Sequence, residues 1–166
     1  MYYFNTFFIY SILGFLLETT YSFFSNLHFE SGILYGPWTP IYGISMILII
    51  ILSNYLFLNL HMHRFFETII TFFILTIVLT FIEWLGGIAI EKIFHITFWD
   101  YSDSPYHFGK YICLKMSLIW GIGSIILIYL VKPWMDKFIK KIPKRVTIVL
   151  ATTFIMDIFL TFISKI

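Results

Sequence analysis

A chain of 166 residues, 60% hydrophobic and 12% charged, with a mean hydropathy of +0.89, takes lipid as its folding solvent. Only helices and closed barrels satisfy the backbone in hydrocarbon, and apolar runs of roughly 20 residues, not alternating segments of about ten, exclude the barrel. A net charge of +2 without a basic stripe of base-stacking aromatics argues against nucleic acid, and the lone Cys113 excludes an intramolecular disulfide or a cysteine-pair metal site. The expected class is therefore all-α: a polytopic integral membrane protein, one transmembrane domain over residues 1–166 with about five helices.

The first helix is expected over residues 4–24. Residues 1–5 contain no Lys or Arg, so this run reads as a retained helix and not as a cleaved signal. Ser11, Gly14 and Glu18 share one of its faces. A carboxylate in hydrocarbon costs about 2.5–3.5 kcal/mol on insertion scales, so Glu18 should face a partner, a cavity or a path. Residues 31–43 then set Gly32, Gly36, Gly43, Pro37 and Pro40 among aromatic and apolar side chains. The prolines remove backbone donors and disfavour helix before them. Non-helical backbone at membrane depth must be covered by protein or line a wet cavity. The segment is expected to be a Gly/Pro-rich re-entrant or interfacial loop; a plain turn anchored by Tyr and Trp would have the same composition.

The second helix is expected over residues 40–60 and the third over 67–94, the latter long enough to tilt or project. Glu83, Gly87 and Glu91 fall on one face of it. Beyond it, Asp100 and Asp103 could hold a cation or an amine against a wall of Trp99 and Tyr101; the same residues also build ordinary interfacial turns. A fourth helix over 112–131 should stop at Pro133. Its Ser117, Gly121 and Ser124 form a small-residue stripe for a neighbouring helix. Lys115 enters at the level of the glutamates and is their natural counter-charge. Residues 134–145 place Trp134, Phe138 and Ile142 at helical spacing among lysines, as in an amphipathic helix on the inner, anionic leaflet. The fifth helix covers 146–163, with Asp157 between Thr153 and Thr161.

The connection between helices two and three and that between four and five share one side and hold seven basic residues, Arg64, Lys132, Lys137, Lys140, Lys141, Lys144 and Arg145. The opposite side holds four: Lys92, Lys110, Lys115 and Lys165. This places the N-terminus in the cytoplasm and the C-terminus outside a cell membrane. Glu18, Glu83, Glu91, Trp99, Asp100, Tyr101, Asp103 and Lys115 would then form an outward-facing polar pocket walled by helices one, three and four, with Gly36, Pro37, Pro40 and Tyr42 in its gate. The competing reading is a polar clamp that only fixes the bundle. His28, Glu30, His61, His63, His95 and His107 form no close metal-binding motif on a helix. Cys113 near His107 reads more readily as a packing residue than as a nucleophile. No Walker-type loop is present. No metal or cofactor is expected, and a non-enzyme is favoured over an enzyme.

These stretches resemble the CmpB-type family of ABC-transporter permeases and related small membrane proteins of animals. The resemblance is carried by Tyr-Ser-x-x-Gly-x-x-x-Glu at residues 10–18 and Gly-x-Leu-Tyr-Gly-Pro-x-x-Pro-Ile-Tyr-Gly at 32–43. It continues through Glu-Trp-x-x-Gly at 83–87, Glu91, Trp-Asp-Tyr-Ser at 99–102, Ile-Cys-Leu at 112–114 and Trp120-Gly121. It implies a permease-like component for a small solute, with Glu18, Glu83 and Asp100 as polar ligands and Lys115 as counter-charge. It further implies a separate ATP-binding subunit or a homodimer as partner, beside membrane lipids. An enzyme acting on a lipid or lipid-linked substrate and a non-catalytic membrane scaffold are the alternatives.

Overall fold

A computed structural model describes residues 1–24 and 32–165. Ser31, at the head of the expected loop, and His28 and Glu30 lie outside the described residues. The chain is helical nearly throughout: α1 (Tyr2–Phe24), α2 (Pro40–Asn59), α3 (Arg64–Phe94), α4 (Leu114–Ile126), α5 (Lys132–Ile139) and α6 (Lys144–Lys165). A two-residue hairpin of β1 (His107–Phe108) and β2 (Ile112–Cys113) precedes α4, in antiparallel register with His107 opposite Cys113. Among the described residues, five helices are long and apolar enough to cross a membrane, α4 and α5 counting as one continuous rod of 26 residues. About 20 residues suffice to span hydrocarbon. The 31 residues of α3 extend about 46 Å, so this helix tilts in the bilayer or projects from it. The protein is a multi-pass membrane protein.

Pro133 does not end the fourth span. A π turn at Leu127–Val131 joins α4 to α5, and the Lys132 N–H reaches back five residues to the Leu127 carbonyl. The widened turn shifts the carbonyl ladder just ahead of Pro133, whose ring would otherwise press on the carbonyl four residues earlier. The lysine-rich segment therefore starts as the last turns of that rod. Trp134 and Phe138 are exposed and Ile139 is buried, while Ile142 falls in the turn before α6.

The chain forms two compact units, one of Met1–Ile47 with Asp136–Ile166 and the other of Leu48–Met135. In the first, buried Asn5 on α1 donates to the Ile139 carbonyl at 3.3 Å and accepts from Thr147 of α6 at 2.6 Å. The Tyr2 hydroxyl donates to Asp136 at 2.7 Å. Further along, Phe8, Trp38 and Phe154 meet edge to face, with centroids 5.6–6.0 Å apart. The start of α2 crosses α1 at very short range: a Cβ on Gly43 would overlap Ser11 and the Phe7 backbone, and one on Gly14 would overlap the Tyr42 ring.

In the second unit, α3 buries every fourth residue: Glu67, Thr71, Leu75, Leu79, Glu83 and Gly87. Its seam with α4 is the small-residue stripe. A Cβ on Gly121 would overlap the Thr76 hydroxyl and the Phe72 ring. Ser117 and Ser124 return their hydroxyls to carbonyls of the preceding turn, at 3.1 and 2.7 Å. The stripe thus admits a close neighbour without carrying unsatisfied donors into it.

Candidate functional site

In the first unit the Gly/Pro-rich segment is held at depth by an intramembrane carboxylate. Asp157 of α6 is buried and accepts three hydrogen bonds: from the Tyr35 backbone N–H at 3.0 Å, the Gly36 N–H at 2.7 Å and the Thr161 hydroxyl at 3.2 Å. The other end of the same segment ties to the end of α6. Lys165 donates to the Ile33 carbonyl at 2.7 Å, and the Tyr35 hydroxyl lies 2.7 Å from that of Ser164. Asp157 is eight residues short of Lys165, about 12 Å along the helix. The backbone of residues 33–36 therefore descends along α6 from its end toward the bilayer interior, the geometry of a re-entrant loop. Every amide so buried needs an acceptor, and Asp157 supplies two at once. Thr39 N–H then bonds the Ser11 carbonyl at 3.0 Å, and the chain enters α2 at Pro40, where a missing N–H is harmless in a first helical turn. Half-buried Glu18 receives the Thr39 hydroxyl at 3.4 Å and interacts with Tyr42.

In the second unit residues 97–113 fold over the end of α3 and are pinned to its glutamates. Buried Glu83 accepts from the Tyr101 hydroxyl at 2.9 Å, and Trp120 of α4 stands beside it. Two turns later Glu91 accepts from Lys110 through one oxygen and from the Tyr111 hydroxyl through the other, each at 2.5 Å. Lys110 also donates to Thr97 at 2.8 Å. Tyr111 is 5% exposed and lies flat where a Cβ on Gly87 would collide with its ring; Trp99 meets it edge to face at 6.0 Å. The Tyr101 N–H bonds the Lys110 carbonyl at 2.8 Å, which closes the long turn. The hydrogen bond to Glu91 raises the Lys110 pKa, and burial, reinforced by Glu91, raises that of Tyr111.

Two polar atoms of this region stand out. Glu83 is 5% exposed; its Oε2 makes no well-formed hydrogen bond, and the Trp120 indole interacts with the same carboxylate. The Trp99 Nε1 is a buried donor without an acceptor. Buried polar groups without partners are uncommon, and each demands an explanation in water, ligand or chemistry. A carboxylate oxygen beside indole and phenol groups can accept from a solute's N–H or O–H, and the rings offer faces to a cation.

The expected site residues divide between the units. Glu18 belongs to the first, with the loop residues Gly36, Pro37, Pro40 and Tyr42; Glu83, Glu91, Trp99, Asp100, Tyr101, Asp103 and Lys115 belong to the second. Within the second, Glu83 and Tyr101 touch, and Trp99 packs on Tyr111. Asp100 is exposed and accepts from the Ser102 N–H at 2.8 Å; that turn holds its carboxyl below the ordinary carboxylate range. Asp103 and Lys115 are exposed. The cation that meets Glu91 is Lys110, because Lys115 points outward from the first turn of α4 while the hairpin carries Lys110 back over α3. Sequence reasoning also passed over Tyr111 and Thr97, and met Trp120 only within a family motif. Their signal lies in hairpin register, which becomes visible only once Tyr101 pairs with Lys110.

No curated protein and no solved structure matches the chain. A family described as "Putative ABC-transporter type IV" matches residues 5–164. That span takes in the Asp157-bound loop, the hairpin and both sets of glutamates, and the chain belongs to this family.

Proposed function

We propose that this protein is the membrane component of an ABC-type transporter for a small polar solute, and that Glu83 is the group that contacts the solute. The observation that carries this reading is the buried Glu83 carboxylate, with one oxygen bonded to Tyr101 and the other without a well-formed hydrogen bond, in a setting of Tyr101, Trp99 and Trp120. Intramembrane acids are costly to retain and mark pathways and binding groups. Trp99 and Tyr101 give the solute an aromatic wall and a donor, which favours a solute bearing an N–H or ammonium group. The family description supports the transporter class. The family description favours an ATP-binding subunit as the energy source, and a second copy of the chain would enlarge a small bundle into a transport path. The excess of Lys and Arg in the connections at Arg64 and at residues 132–145 supports a cytoplasmic N-terminus.

Affinity purification from native membranes in mild detergent, with mass spectrometry of bound proteins and small molecules, tests this reading. The wild type should bring down an ATP-binding subunit in stoichiometric amount together with a small polar solute. Glu83→Gln should keep the subunit and lose the solute. Recovery of no ATP-binding subunit would contradict the proposal, and a retained lipid in its place would move the reading to a lipid-linked substrate.

A further inference from the structure

A cavity of about 320 Å³ opens in the second unit where α2 ends and α3 begins. Ser53, Asn54 and Phe57 from the last turns of α2 form one wall, Arg64 at the start of α3 another, and Tyr129 and Lys132 at the π turn a third. Among the described residues, no Asp or Glu lines it. Glu67, one turn further along α3, is buried in that helix's packing stripe and is not part of the walls.

The Arg64 guanidinium rests against an aromatic pair, Phe57 and Tyr129, whose ring centroids are 6.2 Å apart. It lies 5.3 Å from the Phe57 centroid and 5.3 Å from that of Tyr129. The Tyr129 ring is itself fixed through its hydroxyl, 2.8 Å from that of Thr68. Among the described residues, none of the guanidinium N–H groups has a hydrogen bond to protein. An arginine packed against two rings on one side keeps its N–H edges available, and these form a planar fork that matches two oxygens of a phosphate. Lys132 adds a second positive charge, and the Asn54 amide adds a donor. The π turn that shapes this wall is a feature that recurs at functional sites.

From this arrangement we infer that the cavity binds a phosphate group through Arg64 and Lys132, supplied either by an anionic phospholipid headgroup or by a soluble phosphate. Basic pockets between helix ends at the membrane boundary take lipid headgroups by the same chemistry. Phe57 and Ile128 provide the apolar flank that a glycerol backbone requires. The inference does not depend on Glu83 or on a transported solute.

The test uses the full chain purified in mild detergent, with Tm followed against three probes: dioctanoyl phosphatidylglycerol, dioctanoylglycerol and inorganic phosphate. The wild type should show a saturable rise in Tm with phosphatidylglycerol and none with dioctanoylglycerol. An equal rise with inorganic phosphate assigns the site to soluble phosphate; a rise with phosphatidylglycerol alone assigns it to lipid. Arg64→Gln should weaken the apparent Kd by about tenfold or more, the scale of one charge-assisted hydrogen bond. Lys92→Gln removes an exposed cation outside the cavity and should bind like wild type. If Arg64→Gln does not fold, Lys132→Gln carries the same expectation. The inference is overturned if the wild type responds to neither phosphate probe, or if the folded variant binds as tightly as wild type.

Discussion

Both units pin a non-helical segment to a buried carboxylate, and they do so with opposite completeness. Asp157 accepts from two backbone amides and a hydroxyl, so both of its oxygens have donors. Glu83 accepts from one phenol, and its second oxygen, with the Trp120 indole beside the carboxylate, lacks a well-formed hydrogen bond. Both are acids within apolar helices, and the sequence reading puts Glu83 in the pocket and leaves Asp157 outside it. The difference separates a carboxylate that builds the scaffold from one left available for chemistry. A buried polar group is expensive when unpaired and inexpensive when fully bonded, so the half-bonded acid is the one whose retention needs a function.

The comparison breaks most visibly at Asp157. Replacing it by alanine takes the acceptor from the part-buried Tyr35 and Gly36 amides, and the loss should be about 2–4 kcal/mol, read as a fall in Tm of the detergent-solubilised protein. Next comes Gly36→Ala. Its Cβ would collide with the Trp38 indole and with Asp157 itself, so a loss of about 1–3 kcal/mol is expected by the same measurement, with faster protease cleavage within residues 32–39. In the second unit, Tyr101→Phe removes a single hydrogen bond to Glu83 and should cost about 1 kcal/mol, an effect visible as faster hydrogen exchange in residues 97–113.

How much of this was legible depends on the range of the interaction. The helices are local, and apolar runs near 20 residues announce them. Glycine and proline spacing announced a break from helix, which could equally be a re-entrant loop, an interfacial loop or a plain turn. Its anchor was not legible, since Tyr35 and Asp157 are 122 positions apart and nothing in either neighbourhood names the other. Pro133 misleads for a related reason: its usual effect on a helix is cancelled by a π turn whose residues, Leu127–Val131, look like ordinary apolar span. Lys115 and Lys110 are equally basic, and only the reversal of the chain at Gly109, with φ +64, decides which reaches Glu91.

The smallest effect is at Asp100. Its folded pKa lies below the ordinary 3.8 because its carboxylate accepts from Ser102. A carboxyl of lowered pKa contributes stability that is present above the unfolded value and lost as pH falls through the folded one. The turn should therefore persist from neutral pH down past 3.8 and loosen only below it, seen as pepsin cleavage within residues 97–113. In Asp100→Asn the loosening should depend less on pH across the same window, the remainder coming from Glu91, which holds Lys110 of the same turn.

The most direct test of the contrast between the two acids is thermal unfolding of Asp157→Asn and Glu83→Gln side by side in one detergent. The expected result is a clearly lowered Tm for Asp157→Asn, whose neutral amide can replace only part of the acceptor set, and a Tm near wild type for Glu83→Gln. An equal or larger fall for Glu83→Gln would make Glu83 a structural clamp and contradict its assignment as the solute-contacting group.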